Sequence, residues 1–142
     1  MEEFKKNWMS QLIKGLESEK NFTILHDCGG NCAEQSGMLD EIKTFKSSQE
    51  ISDNQSLVEL LKESPFKDHK IEENKDAVQL TYNFTSCVCP IMSQMVNPHA
   101  CQCTVGFLNK SLEALTGKSF TIEIVDSYIK NNLPCSFQIY MD

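Results

Sequence analysis

The apolar residues of this chain change their spacing at residue 70, and that change constrains the fold more than any other feature. Before it they recur every three or four positions, as on the buried stripe of a helix. Trp8, Met9, Leu12, Ile13 and Leu16 form one such run, Leu39 and Ile42 a shorter one, and Leu57, Leu60 and Leu61 another. After it Val78, Leu80, Tyr82 and Phe84 alternate with Gln79, Thr81 and Asn83, the pattern of a strand with one face buried. Ile71 and the polar stretch Glu73-Asn74-Lys75-Asp76 ahead of that strand predict a hairpin. Helical spacing returns once, at Val105, Leu108, Leu112 and Leu115, closed by Gly117. Two further strands follow, with Phe120, Ile122 and Ile124 on one and Cys135, Phe137, Ile139 and Met141 on the other. The expectation is an α+β fold over residues 1–142 as a single domain: a helical N-terminal half packed on a roughly four-stranded antiparallel sheet, with helices on one face. A chain of 142 residues can hold such a core without disulfide staples.

Element ends carry their own signals. Asn21 or Thr23 can cap a second helix, which would place Leu25, Cys28 and Cys32 on one stripe. Gly29 and Gly30 weaken that helix, each by roughly 1 kcal/mol, and Gly37 reads as its stop. Ser52 and Gln55 have capping-box spacing, and Ser64-Pro65 ends the helix they begin.

Charge narrows the partners. A net charge of −7 repels phosphate backbones and anionic membranes, so neither nucleic acid nor membrane is expected. The start, Met1-Glu2-Glu3-Phe4-Lys5-Lys6, leads into no apolar run, so a cytoplasmic location with reduced thiols is expected. The cysteines number seven, which rules out complete intrachain pairing and favours thiol or thiolate chemistry over a disulfide framework.

Six of those cysteines fall in three short motifs: Cys28-Gly29-Gly30-Asn31-Cys32, Cys87-Val88-Cys89-Pro90 and Cys101-Gln102-Cys103. Residues four apart on a helix share a face, and residues two apart on an extended segment point the same way. Each motif can therefore present a pair of sulfurs in one direction. Tetrahedral zinc asks for four at about 2.3 Å. The expected metal ligands are Cys87, Cys89, Cys101 and Cys103, with Cys28 and Cys32 as a second tier, holding zinc or, as the alternative, an iron–sulfur cluster. Cys101 and Cys103 also open the long helix, where free amides favour thiolate. Reduced cysteines lining a pocket, or packed in a core as small hydrophobes, are the competing readings of the same spacing.

Other residues receive plainer readings. Cys135 shares a strand face with Phe137 and Ile139, so packing is expected of it. His26 and His69 lie among polar neighbours and are expected at the surface. His99 is the histidine within the cysteine segment. Gly106 permits close approach to the first turn of its helix, expected from the loop. Met92 and Met95 read as gap fillers, and Glu123 and Asp126 as solvated acids.

The order strand, Cys87-Val88-Cys89-Pro90, loop, Cys101-Gln102-Cys103, helix with Gly106 and Gly117, strand, turn, Cys135-Ser136-Phe137 resembles the 4-vinyl reductase domain and the related aminothiazoline-carboxylate hydrolase-like proteins. Together with the Cys28–Cys32 motif, it is similar to bacterial proteins of that group that carry both cysteine motifs. The resemblance is carried best from about residue 70 to the end. It implies an α+β fold shared with the TRAPP transport-particle subunits, an apolar pocket, small-molecule binding and sometimes zinc held by cysteines. Cys87, Cys101 or Cys103, and Cys135 would then occupy the family's cysteine places. Ser127 stands where the family has a further cysteine, and Asn131-Asn132 where it has a Gly-Asp turn. Asparagine tolerates the left-handed turn; serine does not replace a thiolate.

The function expected from the sequence is a small-molecule-binding module with a cysteine-borne, zinc-type site, a homodimer being left open. The alternative is a thiol hydrolase acting on a small sulfur- or nitrogen-containing substrate, with Cys28 or Cys101 as nucleophile and His99 as base.

Overall fold

Helix-period sequence becomes helix throughout the first half. The computed structural model describes residues 2–19, 22–45, 50–83 and 98–142. Its elements are α1 (Glu2–Glu19), α2 (Thr23–Gln35), α3 (Met38–Thr44), α4 (Asn54–Glu63), β1 (Lys70–Glu73), β2 (Val78–Thr81), a 3₁₀ turn (Pro98–Cys101), α5 (Gln102–Thr116), β3 (Phe120–Asp126), α6 (Tyr128–Asn131) and β4 (Ser136–Met141). The strands form one sheet in the order β1-β2-β4-β3, antiparallel at every pairing. The α+β expectation holds. Among the described residues no helix is long and apolar enough to cross a membrane.

The main core is aliphatic. Leu57, Leu60 and Leu61 of α4 and Val105, Leu108 and Leu112 of α5 pack on Ile71, Val78, Leu80, Phe120, Ile122, Phe137 and Ile139 of the sheet. These are the positions that the two periodicities mark, because a residue that keeps its place on a stripe or a face stays with its neighbours. Cys135 lies just ahead of β4, half-buried against this core, as a small hydrophobe does. A smaller cluster of Ile13, Leu16 and Leu25 joins α1 to α2, with Phe22, Cys103 and Ile129 against it.

Several boundaries move, each for a local reason. The capping box at α4 is made by Asp53 and Ser56, not Ser52 and Gln55: Asp53 Oδ1 accepts from the Ser56 amide at 2.8 Å, and Ser56 Oγ accepts from the Asp53 amide at 3.1 Å. The Ser56 amide first, and the Ser56 hydroxyl second, hold the Asp53 carboxyl below its usual pKa. Thr23 lies inside α2, whose N-cap position is Phe22 with no side-chain cap; Asn21 lies outside the described residues. The helix runs through Gly29 and Gly30 and ends at Gln35 with Ser36 as its C-cap; Gly37, at φ +86°, is the left-handed stop that the sequence predicts and is also the N-cap of α3. Strand β2 stops at Thr81, although the Tyr82 amide still donates to the Cys135 carbonyl at 2.8 Å; Phe84 lies outside the described residues. On α1, Ile13 and Leu16 are buried, whereas Trp8 is 60% exposed and Leu12 37% exposed.

The turn between β3 and β4 contains a short helix that periodicity does not announce. Ser127, fully buried, caps α6 by accepting from the Lys130 amide at 2.9 Å. Asn132 closes it at φ +55°, the left-handed turn expected there. Asn131 Nδ2 donates to the half-buried Asp126 at 2.7 Å, so that carboxylate is not merely solvated.

Candidate functional site: the crossing of α2 and α5

The motif Cys28-Gly29-Gly30-Asn31-Cys32 lies wholly within α2, and at 100° per residue its members leave the helix in different directions. Gly29 points at α5. A Cβ built on it would lie 1.8 Å from the Cys103 carbonyl oxygen and 2.7 Å from the Phe107 amide nitrogen. The approach is reciprocal: a Cβ on Gly106 would lie 2.0 Å from the His26 carbonyl oxygen. The helices thus meet backbone to backbone, with Leu25, Gly29 and Ala33 as the buried stripe of α2. Gly106 does allow a close approach, but by α2 rather than by the loop. This is the geometry that glycine uniquely permits where two backbones cross.

Gly30 and Asn31 turn toward a second environment. They line an open cleft of about 470 Å³ between the two helices. Its floor is Gly30 and Gly106, and its walls carry His26, Asp27 and Glu34 from α2 and Asn109, Lys110 and Glu113 from α5. Lys110 Nζ stands 3.6 Å from Glu34 Oε1 across the rim. A Cβ at Gly30 would meet only the Lys110 stem, at 3.9 Å, so packing against α5 does not require a glycine at this position. His26 is half-buried rather than a lone surface residue, its Nε2 hydrogen-bonded to Gln102 Oε1 at 2.8 Å.

Cys28 and Cys32 take the remaining direction. Both are exposed and both carry free thiols. The expected stripe of Leu25, Cys28 and Cys32 is therefore corrected to Leu25, Gly29 and Ala33. Cys32 nevertheless lies near the end of the sheet. Burial pushes the Tyr82 hydroxyl pKa well up, and the thiols of Cys135 and Cys32 add to the shift. Tyr82 is edge-on to both Phe137 and His69. His69, half-buried, accepts the Asn83 amide on Nδ1 at 3.1 Å, and desolvation lowers its pKa against the opposing charge of Asp68; it too is more than a surface residue.

The third motif lies across the crossing. Cys101 is buried at the start of α5, and Cys103 is half-buried against Ile13, Leu16 and Leu25. Between the motif and the sheet is a second hollow of about 390 Å³, lined by His99, Gln102, Ile122, Glu123, Ile124 and Lys130. His99 Nε2 stands 3.2 Å from Glu17 Oε1, and its ring stacks on Phe22 at a centroid distance of 5.2 Å.

Cys87, Cys89, Pro90, Met92 and Met95 lie outside the described residues. Among the described residues no three His, Cys, Asp or Glu side chains come together as a metal site. Cys28, Cys32, Cys101 and Cys103 are thus distributed around the crossing without three of them forming one donor set. The cleft itself was missed at the sequence level. Its signal was the paired glycine: one of two adjacent helical glycines was needed for packing, which left the other to be explained. No protein-family model matches the chain, and no curated protein matches it.

Proposed function

We propose that the chain is a small-molecule-binding module whose ligand occupies the α2–α5 cleft. The observation that carries this reading is the floor of the cleft: Gly30 lies open to it, with no packing contact that would require a glycine. A glycine inside a helix costs roughly 1 kcal/mol relative to alanine, so its place under an open cleft needs a reason other than stability. The volume of about 470 Å³ suits a small organic molecule. The walls give its chemistry. Asp27, Glu34 and Glu113 outnumber Lys110, and Asn31 and Asn109 offer amides, so a compact polar ligand carrying an ammonium group is complementary. The resemblance to the 4-vinyl reductase group supports small-molecule binding in general.

The test is a panel of small primary amines and amino acids, followed by protein NMR on the native chain and on Gly30→Leu. A Cβ at Gly30 meets no α5 backbone within 4 Å, so the leucine side chain is expected to occupy the cleft from its floor. Binding to the native chain that Gly30→Leu abolishes, with an undiminished melting temperature, is the expected result. Equal binding to both proteins, or no amine bound by either, would sink the proposal.

The cysteine-held metal is a separate element of the reading. Zinc asks for four donors, and the described residues nowhere supply three. A zinc or iron–sulfur centre, expected on Cys87, Cys89, Cys101 and Cys103, would draw on donors beyond those that the described residues bring together.

A further inference from the structure

Cys28 and Cys32 form a pair that neither the cleft nor the packing uses. They lie one turn apart on the same face of α2, both exposed and both free thiols. Side chains four apart on a helix have Cβ atoms about 5–6 Å apart, and each sulfur can swing about χ1 toward the other. Two sulfurs so placed can take one ion between them. Among the described residues no third His, Cys, Asp or Glu joins them toward a tetrahedron.

From this donor set we infer that Cys28 and Cys32 constitute a binding site for a soft monovalent d¹⁰ ion, cuprous copper being the representative. Thiolates select Cu(I) among the biological metals, and Cu(I) accepts two sulfurs in line where zinc prefers four donors. Each thiol gives up its proton as it binds, so uptake of one ion releases up to two protons.

A second feature, independent of the thiols, makes the pair a preformed site. The turn that spaces them contains Gly29 and Gly30, the weakest helix formers short of proline. Alone it would fray, and the sulfurs would have no fixed separation. Here Gly29 is held against the Cys103 carbonyl and the Phe107 amide of α5, with Leu25 and Ala33 buried above and below. The packing thus fixes the backbone between the two cysteines while leaving their side chains in solvent. The chain's net charge of −7 favours cation approach.

The inference is independent of the cleft and is tested separately. The reduced native chain is titrated anaerobically with Cu(I) buffered by a chromogenic chelator, and metal-protected thiols are mapped by alkylation and mass spectrometry. The expected result is uptake of one Cu(I) per chain at the tightest site, with Cys28 and Cys32 protected together. X-ray absorption should show two sulfur donors. Cys28→Ser and Cys32→Ser should each weaken that site by about 100-fold or more, beyond the ~10–100-fold typical of losing an outer-shell partner. Since both residues are exposed, neither change should lower the melting temperature of the metal-free protein. Cys103→Ser should leave the tight site intact. The inference is overturned if protection maps to other cysteines, if either serine variant retains native affinity, or if the ion has three or more sulfur donors.

Discussion

Helix α5 is held in two different ways on two of its faces. One face is held by what its side chains fill: Val105, Leu108 and Leu112 are buried and pack with α4 and the sheet. The other is held by what is missing, since Gly106 and its partner Gly29 let backbone touch backbone. The first arrangement tolerates hydrophobic variety, because a core of roughly the right volume can repack. The second admits almost no larger residue, because a carbonyl oxygen cannot rotate out of the way as a side chain can. The candidate sites belong to the second region. A crossing with no side chains between its helices brings two polar surfaces close together and leaves a hollow beside the contact.

The largest expected effect lies in the filled region. Leu108→Ala should cost about 4 kcal/mol, the transfer and cavity terms of a fully buried leucine, read from urea denaturation. Next is the glycine crossing. Gly29→Ala and Gly106→Ala should each cost about 3 kcal/mol, at the upper end of ordinary overpacking. The comparison breaks if either variant is as stable as the native chain or more so, since the intrinsic helix preference of alanine would by itself add about 1 kcal/mol.

The smallest effect is a pH dependence at the edge of the filled core. His69 has a lowered pKa because it is partly desolvated, and its Nδ1 accepts the Asn83 amide. Protonation would set a donor against a donor. A histidine pKa depressed by folding contributes stability that is complete above the unfolded value of about 6.5. That contribution is lost as pH falls below this value toward the folded one. The denaturation midpoint should therefore drop between pH 7.5 and 5.5, and His69→Gln should flatten the dependence over that interval. An unchanged slope in the variant would remove His69 from the account.

Much of the frame was legible in the sequence. Leu57, Leu60 and Leu61 sit where their spacing puts them, Gly117 ends α5 at φ +73°, and Asn132 makes the left-handed turn. Each is a local matter of helical period or backbone sterics. Asp53 was missed by one position because serine and aspartate cap equally well, and only the geometry shows which residue stands outside the helix. Ser127 reads as a lost thiolate beside the family resemblance, yet it is a helix cap, since α6 is too short to have a period. Cys28 and Cys32 were expected beside Leu25 because hydrophobicity ranks cysteine above glycine as a buried residue.

That last difference marks the division between sequence and structure. The sequence by itself determined the element types, most of their ends and the residues of the main core, because those follow from period and from glycine, proline and asparagine stereochemistry. Only the tertiary structure decided which side of α2 is buried. Leu25-Cys28-Cys32 and Leu25-Gly29-Ala33 are both legitimate helical stripes sharing Leu25, with Cys28 and Cys32 each turned about 100° from Gly29 and Ala33. A pattern of hydrophobic side chains cannot register a contact made by having none. The backbone of α5 can approach only at Gly29, and that approach turns the two cysteines outward together.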